Sequence, residues 1–345
     1  MSVHVLKSLM RPWRVVGSIL HGAYGDYYEQ MICLRHLKRL FPDVKLVLFF
    51  ATESRRKELQ VFDLSFADEV HSVADICNVP VEKFLQFQIR DRELNDDVLC
   101  KLPADILAKF DLTRNLKPWS FIRTIYRDAP ADCDIPLSPY GVKRLPQCFE
   151  DNDLDESSFS DGFTVGFLWR YRKSGGAFST KFQTPQEVIH RTKSELFSEL
   201  VEQYGARIIV AGMNLRVTDE NRERTDCKYS DRKLATPDNA CTYLKGLSWG
   251  LELEIMRRCS LCLVMPSGFS EALFMKRDGP TILVDPAPSY LVRSLVNRTP
   301  FVRMGNLRNL FFCLRQPHSA ERVMSYLRSE HPEFLNEVLP LAMSQ

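Results

Sequence analysis

The chain has 345 residues, 45% of them hydrophobic and 26% charged, which is the composition of an ordinary globular protein, and its length favours two domains. Its 46 basic and 44 acidic residues give a net charge of +2, which argues against a dedicated nucleic-acid-binding protein because such proteins carry a basic excess. The sequence contains no run of about 18 apolar residues, so it predicts no membrane span.

The N-terminal residues and the cysteines point to a reducing compartment. Arg11, Pro12 and Trp13 interrupt the first apolar residues, so a secretory signature is missing. The ten cysteines are scattered, and the one C-x-x-C pair, Cys259 and Cys262, has no second pair at the spacing of a zinc site. We therefore expect both cysteines to be buried, and the protein to be cytoplasmic.

The first predicted unit is a strand, a glycine-containing turn and a helix. Residues 14–20 read as a buried strand, and apolar residues at helical spacing follow over 27–40. Residues 45–50 (KLVLFF) are apolar after the first position, as expected of a parallel strand that is covered on both faces. A short third strand is expected over 67–73.

A stretch rich in proline and acidic residues, 129–161, then predicts a linker or exposed loop. The alternation of strands and helices resumes after it. Thr184 and Pro185 mark a helix start, because threonine caps helices and proline suits the first helical position. Strands are expected over 163–169, 207–211, 260–265 and 281–284, another strand within 230–246, and helices over 184–204, 251–258, 269–275, 320–328 and 333–339.

Two such alternations predict an α/β protein of two doubly wound, Rossmann-like domains that face a cleft. The predicted domains span residues 1–150 and 162–318. Residues 319–345 are expected to form C-terminal helices, for which packing back on the N-terminal domain is one option. Open parallel sheets bind ligands at the carboxyl ends of their strands, so candidate site residues should follow the strands.

Asp26 is the first such candidate, because it follows the first strand and Gly25. A carboxylate there could take a proton from an acceptor hydroxyl. The alternative is a helix N-cap, since Glu29 lies three residues later at the spacing of a capping box. His21, in the same turn, is a secondary candidate.

The loop after the first strand of the second half is basic and glycine-containing. Arg170, Arg172 and Lys173 stand beside Gly175 and Gly176. Arginine forks bind phosphate oxygens in pairs, and glycine lets backbone amides approach closely, so the loop suits a phosphate group. A solvated basic loop is the alternative.

A second anion-binding candidate is Pro266–Ala272, where a buried strand turns into a helix. The first amides of a helix lack internal partners and attract anions. Ser267 and Ser270 add hydroxyl donors, and Glu271 could accept hydrogen bonds from ribose hydroxyls. The alternative is an ordinary capped helix start.

Several common motifs are missing. The sequence has no G-x-G-x-x-G, no Walker A and no G-x-S-x-G pattern. Its one D-x-D match, Asp132-Cys133-Asp134, lies in the proline-rich stretch and is interpreted as a chance match. We therefore expect no bound metal and no cofactor.

The order of these motifs resembles the two-domain B-type (GT-B) glycosyltransferases, most closely the inverting heptosyltransferases of glycosyltransferase family 9. Val15–Phe50 is similar to the opening of that family. Tyr204–Gly212, Ser248–Arg258, Pro266–Glu271 and Gly279–Val284 are similar to its second domain.

This resemblance implies an inverting, metal-independent transfer of a sugar from a nucleotide-diphosphate sugar, in glycan or polysaccharide biosynthesis. Asp26 would be the general base, and the first and second domains would bind acceptor and donor. The residues implied are Arg170, Arg172, Lys173, Ser267, Gly268, Phe269 and Ser270 for the donor diphosphate, Glu271 for the donor ribose, and His21, Gly25 and Tyr27 on the acceptor side.

The chain departs from the family where a histidine often follows the donor turn, because Phe269-Ser270-Glu271 stand there. Donor and acceptor therefore cannot be inferred from a heptosyltransferase. The expected partners are a nucleotide sugar and a glycan or lipid-linked acceptor, with no nucleic acid, and the basic, aromatic segment Lys7–Arg14 leaves peripheral membrane contact open. Two alternatives remain: a nucleotide-sugar epimerase of the same fold, and a non-catalytic sugar- or nucleotide-binding module.

Overall fold

A computed structural model of the chain shows two compact units, Met1–Val142 and Lys143–Gln345, each built on one parallel sheet. In the described part of the chain, no helix combines the length and apolar character needed to cross a membrane. The structure describes residues 10, 12–22, 24–87, 96–110, 135–160, 162–168, 186–211, 240–244, 247–264, 269, 272–273, 279–283 and 320–333.

The first unit contains a four-stranded sheet flanked by helices. Its strands are all parallel and lie in the order β3-β2-β1-β4. The elements in chain order are β1 (Val15–Leu20), α1 (Tyr24–Leu40), β2 (Lys45–Phe50), α2 (Glu53–Leu59), β3 (Glu69–Ser72), a 3₁₀ turn (Val73–Asp75), β4 (Lys83–Phe84), α3 (Asp96–Leu99) and α4 (Ala104–Ala108).

Strand β1 is central in this sheet because its side chains are apolar or small and its neighbours approach closely. It pairs with β2 over its whole length, from Val15 with Lys45 to Leu20 with Phe50. Gly17 permits β4 to pack here, since a Cβ at this position would lie 2.7 Å from Cε1 of Phe84. Because the four strands run parallel, their carboxyl ends lie at one edge of the sheet. His21 and the start of α1 follow β1 at this edge.

The second unit contains a five-stranded parallel sheet in the order β7-β6-β5-β8-β9. Helix α5 runs across the point at which the two units divide. The elements are α5 (Pro139–Glu150), α6 (Ser157–Ser160), β5 (Thr164–Leu168), α7 (Gln186–Tyr204), β6 (Arg207–Ala211), β7 (Cys241–Tyr243), α8 (Trp249–Arg258), β8 (Leu261–Val264), β9 (Thr281–Leu283) and α9 (Ala320–Glu330).

The core of the second unit joins the sheet to α7 and α9. Phe167 of β5 packs on Phe197 of α7, with ring centroids 4.7 Å apart. Val323 and Leu327 of α9 are buried in the same cluster, and the Glu199 carboxylate accepts a 2.7 Å hydrogen bond from the Ala320 amide. The described part of the C-terminal segment thus packs within the second unit, whereas the sequence left open packing on the N-terminal domain.

Most predicted elements lie where the sequence placed them, but the interpretation of 129–161 as linker or loop was wrong for α5. Pro139 occupies the first helical position, which proline tolerates because the amide there has no helical partner. Leu145, Cys148 and Phe149 form a buried face, although Pro146 lies inside the helix. The proline content concealed this amphipathic spacing.

Candidate functional site

The turn between β1 and α1 holds a carboxylate at the carboxyl edge of the first sheet. The Ala51 amide donates to the Leu20 carbonyl at 3.1 Å, so the ends of β1 and β2 are adjacent. Gly22 has φ of +100°, a conformation that favours glycine. A Cβ on Gly22 would lie 2.8 Å from Oδ2 of Asp26, so the Asp26 carboxylate lies directly against this turn.

Asp26 is buried, with 7% of its surface exposed, and it is the third residue of α1. The alternative of an N-cap is therefore wrong, because the helix begins at Tyr24. The first turn of a helix carries partial positive charge, which favours the ionised carboxylate. The arrangement can hold a carboxylate of fixed direction at the sheet edge.

His21 is also buried, and its Nε2–H donates to the Phe87 carbonyl at 3.2 Å. Burial lowers the pKa of His21 to about 4, and the bond to the carbonyl opposes that shift. The imidazole is therefore neutral near pH 7, with Nδ1 left as its acceptor nitrogen. His21 can contribute shape and a hydrogen bond to the site but no charge.

Gln30 holds this turn by hydrogen bonds, and the sequence analysis did not identify it as a site residue. Its side chain is fully buried, and Nε2 donates to the carbonyls of His21 and Asp26, both at 2.8 Å. The amide thereby joins the end of the strand to the first turn of the helix. A signal was present, since Gln30 is a polar residue one helical turn after Asp26, on the same side of the helix.

Gly25 and Tyr27, predicted on the acceptor side, are both buried in α1. The Tyr27 ring stacks on Phe50, with centroids 5.8 Å apart. Burial raises the pKa of Tyr27 to about 12, opposed by Arg55 and by hydrogen bonds to the Ala51 backbone and the Thr52 side chain. Tyr27 thus packs α1 on the end of β2, and contact of either residue with an acceptor stays a prediction.

The same edge carries an arginine that the sequence reading missed. The Arg55 guanidinium carbon lies 3.6 Å from the centroid of the Tyr24 ring. Thr52 caps α2 by accepting a hydrogen bond from the Arg55 amide, which places Arg55 in the first turn of that helix. Its position after β2 was a usable signal, because side chains that follow parallel strands gather at one edge.

In the second unit, the two predicted donor segments start from adjacent strand ends. Leu168, the last residue of β5, pairs with Val264, the last residue of β8. The residues predicted to bind the diphosphate and ribose follow these two strands. Arg170, Arg172, Lys173, Ser267, Gly268, Ser270 and Glu271 lie outside the described residues.

Phe269 is the described member of the predicted donor set. It is buried, and its ring packs edge-on against Trp249, with centroids 5.4 Å apart. Trp249 begins α8, which Ser248 caps by accepting a hydrogen bond from the Leu251 amide. The Phe269 side chain therefore packs against the first residue of α8, and a role in binding the diphosphate stays a prediction.

Cys259 and Cys262 are buried, as the sequence predicted. Among the described residues, no three His, Cys, Asp or Glu side chains are grouped so that they could hold a metal ion. Metal independence stays a prediction.

Comparison with known proteins gives a likeness of fold. No protein-family model matches the chain, and no curated protein matches its sequence. The chain is similar to the structure of E. coli ADP-heptose lps heptosyltransferase II, with a TM-score of 0.58 and 13% identity over 93% of this chain and 99% of that one. It is also similar to a glycosyl transferase family 9 structure from Veillonella parvula, with a TM-score of 0.50 and 11% identity over 93% and 98% of the two chains.

The structure of a UDP-N-acetylglucosamine 2-epimerase from Listeria monocytogenes gives a TM-score of 0.43, at 9% identity over 95% of this chain and 92% of that one. This score is too low to support an epimerase function. The two parallel sheets and the heptosyltransferase and family 9 structures together define the class of fold. The chain has the GT-B type of α/β fold, as predicted, and it resembles those structures at the level of the fold.

Proposed function

We propose that this protein is a glycosyltransferase that moves a sugar from a nucleotide-diphosphate sugar to an acceptor hydroxyl with inversion and without a metal. The observation that carries the proposal is the buried Asp26 carboxylate, held against Gly22 at the carboxyl edge of the first sheet. The fold likeness to heptosyltransferase structures supports it.

In the proposed reaction Asp26 removes the proton of the acceptor hydroxyl as its oxygen attacks the anomeric carbon. The bond from that carbon to the diphosphate oxygen breaks on the opposite face, so configuration inverts and the diphosphate leaves with its electron pair. Arg170, Arg172, Lys173 and the amides near Ser267 would stabilise the added negative charge. Glu271 would bind the donor ribose.

The described geometry favours Asp26 over His21 as the base. The Nε2–H of His21 is engaged by the Phe87 carbonyl, and its burial disfavours the imidazolium that would form on taking a proton. A carboxylate becomes neutral on accepting a proton, so a buried position costs it less in the transition state. His21 and Gly25 are proposed to shape the acceptor side instead.

The remaining proposals follow from the same reading. A glycan or lipid-linked acceptor, a cytoplasmic location, a role in glycan biosynthesis and independence from cofactors are predictions.

The test is a thermal-shift screen of the purified full chain against UDP-, GDP-, ADP-, CMP- and dTDP-sugars without added metal. A bound donor raises the unfolding midpoint by mass action. We expect a shift with one nucleotide class and its loss in the Arg170→Ala/Arg172→Ala double variant. Arg328→Ala, an exposed arginine of α9, is the matched control and should keep the shift.

No shift with any nucleotide sugar, in a protein that unfolds cooperatively, would contradict the proposal. Turnover of the donor without an acceptor would indicate an epimerase. Ligand affinity and function unchanged in Asp26→Asn would indicate a binding module.

A further inference from the structure

The Arg55 side chain is oriented by an aromatic ring and lacks an anionic partner in the described part of the chain. Its guanidinium stacks on Tyr24 at 3.6 Å from the ring centroid, an arrangement that favours the cation and fixes its plane. Nη1 is buried, and no described residue accepts a hydrogen bond from it. Desolvated N–H groups of a charged donor are costly to leave unpaired, so this guanidinium is suited to receive an acceptor group.

Arg56, the next residue of the same helix, differs from Arg55 because it has an ion-pair partner. Arg56 donates from Nε and Nη2 to the two carboxylate oxygens of Glu53 at 2.8 and 2.7 Å, and its side chain is exposed. Arg55 is half-buried and, among the described residues, has no carboxylate within ion-pair distance. The two neighbouring guanidinium groups therefore differ in their pairing although they share a helix.

Arg55 also lies at the same sheet edge as Asp26. Strands β1 and β2 end side by side, with Leu20 paired to Phe50, and the two residues follow these strands in the first turns of α1 and α2. Tyr24 belongs to the same helical turn as Asp26. A ligand group on the Arg55 fork would therefore sit on the acceptor side of the proposed reaction.

Among the described groups at this edge, Arg55 is a cation that has no carboxylate within ion-pair distance. Asp26 is a buried carboxylate, His21 is neutral, and Glu53 and Arg56 pair with each other. We infer that Arg55, held on the Tyr24 ring, binds an anionic group of the acceptor, a phosphate or a carboxylate. Guanidinium groups bind both by paired N–H donors. This inference rests on the proposed transferase function, because it assigns the bound group to the acceptor.

The test measures the modification of single arginines by phenylglyoxal in the full chain, read by peptide mass spectrometry. Inorganic phosphate is the first probe and acetate the second, each against chloride at equal ionic strength. We expect phosphate to slow modification of Arg55 about threefold when its concentration is twice the Kd, by simple occupancy. Arg56 is the matched control, and its rate should not change. Protection by phosphate but not acetate assigns a phosphate group, and the reverse assigns a carboxylate.

Equal effects on Arg55 and Arg56, or no effect of either probe on Arg55, would overturn the inference. A second measurement uses thermal shifts with phosphate in the Arg170→Ala/Arg172→Ala background, which removes the predicted donor cations. There Arg55→Gln should lose the shift and Arg56→Gln should keep it. A failed donor screen with Arg55 protected would reject the transferase proposal, and with it the assignment of the bound group to an acceptor, but would keep Arg55 as an anion site. A successful screen with Arg55 unprotected would reject this inference alone.

Discussion

The Asp26 carboxylate and the Gly22 backbone are in contact: a Cβ on Gly22 would lie 2.8 Å from both Cβ and Oδ2 of Asp26. Gly22 also has φ of +100°, which other residues rarely adopt. The turn that ends β1 therefore packs against the Asp26 carboxylate, which we propose as the general base. This contact makes the glycine a direct determinant of where the carboxylate lies.

Gly22→Ala should destabilise the protein and displace the carboxylate. Backbone strain at such a φ costs about 1–3 kcal/mol, and the added methyl collides with Asp26. The measurement is urea unfolding at equilibrium, together with turnover once a donor is known. Gly162→Ala is the control, because a Cβ there meets nothing within 4 Å. Equal stability of the two variants would show that the turn relaxes freely.

Asp26→Asn should abolish proton removal while leaving donor binding intact. General base catalysis contributes about 10²–10⁴-fold, so kcat should fall by that order with the donor Kd nearly unchanged. Steady-state kinetics and calorimetric titration of the donor measure the two effects. Asp43→Asn, at an exposed position after α1, should leave both unchanged. A Kd that rises as much as kcat falls would assign Asp26 to binding.

Gln30→Met should lower the free energy of unfolding by a few kcal/mol, because two buried carbonyls lose their donor and each loss costs about 1–3 kcal/mol. Gln30→Glu separates packing from hydrogen bonding. The introduced carboxyl faces two carbonyl oxygens, so burial and repulsion should raise its pKa above the unfolded value. Its stability deficit should be largest at neutral pH and shrink as the pH falls, because the protonated acid can donate again. A deficit that does not change with pH would contradict the role of the donor.

His21 should contribute an acid-sensitive component of stability. Its pKa is lowered from 6.5 to about 4 by burial, so the unfolded chain binds more protons between these values. This stability is complete above about pH 6.5 and is lost as the pH falls toward 4, by at most about 3 kcal/mol. His36, with its pKa lowered to about 3 by burial and by Arg39 and Arg35, adds in the same direction.

Denaturant unfolding between pH 7 and pH 4 measures this dependence. His21→Gln should flatten the curve, and His331→Gln, at the end of α9, is the control. An unchanged slope in His21→Gln would show that this histidine titrates alike in both states.

Gly17→Ala should destabilise the first sheet by about 1–3 kcal/mol through overpacking. The new methyl would lie 2.7 Å from Cε1 of Phe84 and 2.9 Å from Cγ1 of Val81. Phe84→Leu removes the nearest atoms, so the double variant should be less destabilised than the sum of the two single changes. Additive losses in urea unfolding would exclude this contact as the cause.

Many strands and helices of the fold could be predicted from local hydrophobic patterns in the sequence. The apolar runs of β1, β2, β5 and β6 predicted buried parallel strands, and the structure confirms them within about one residue of their bounds. Such runs are readable because a strand covered on both faces has few polar positions. Helix α5 was missed because proline content outweighed its buried face of Leu145, Cys148 and Phe149.

The sequence by itself determined the alternation of strands and helices and the place of Asp26 after a strand, since these depend on neighbours along the chain, whereas the GT-B class of fold was implied by the resemblance of its motifs to a known family. Only the tertiary structure decided that His21 is neutral, that Gln30 joins strand to helix, and that Arg55 stacks on Tyr24 thirty-one positions earlier. The reason is physical: desolvation and stacking depend on which strands pair and what covers their ends, and those contacts join residues far apart in the sequence.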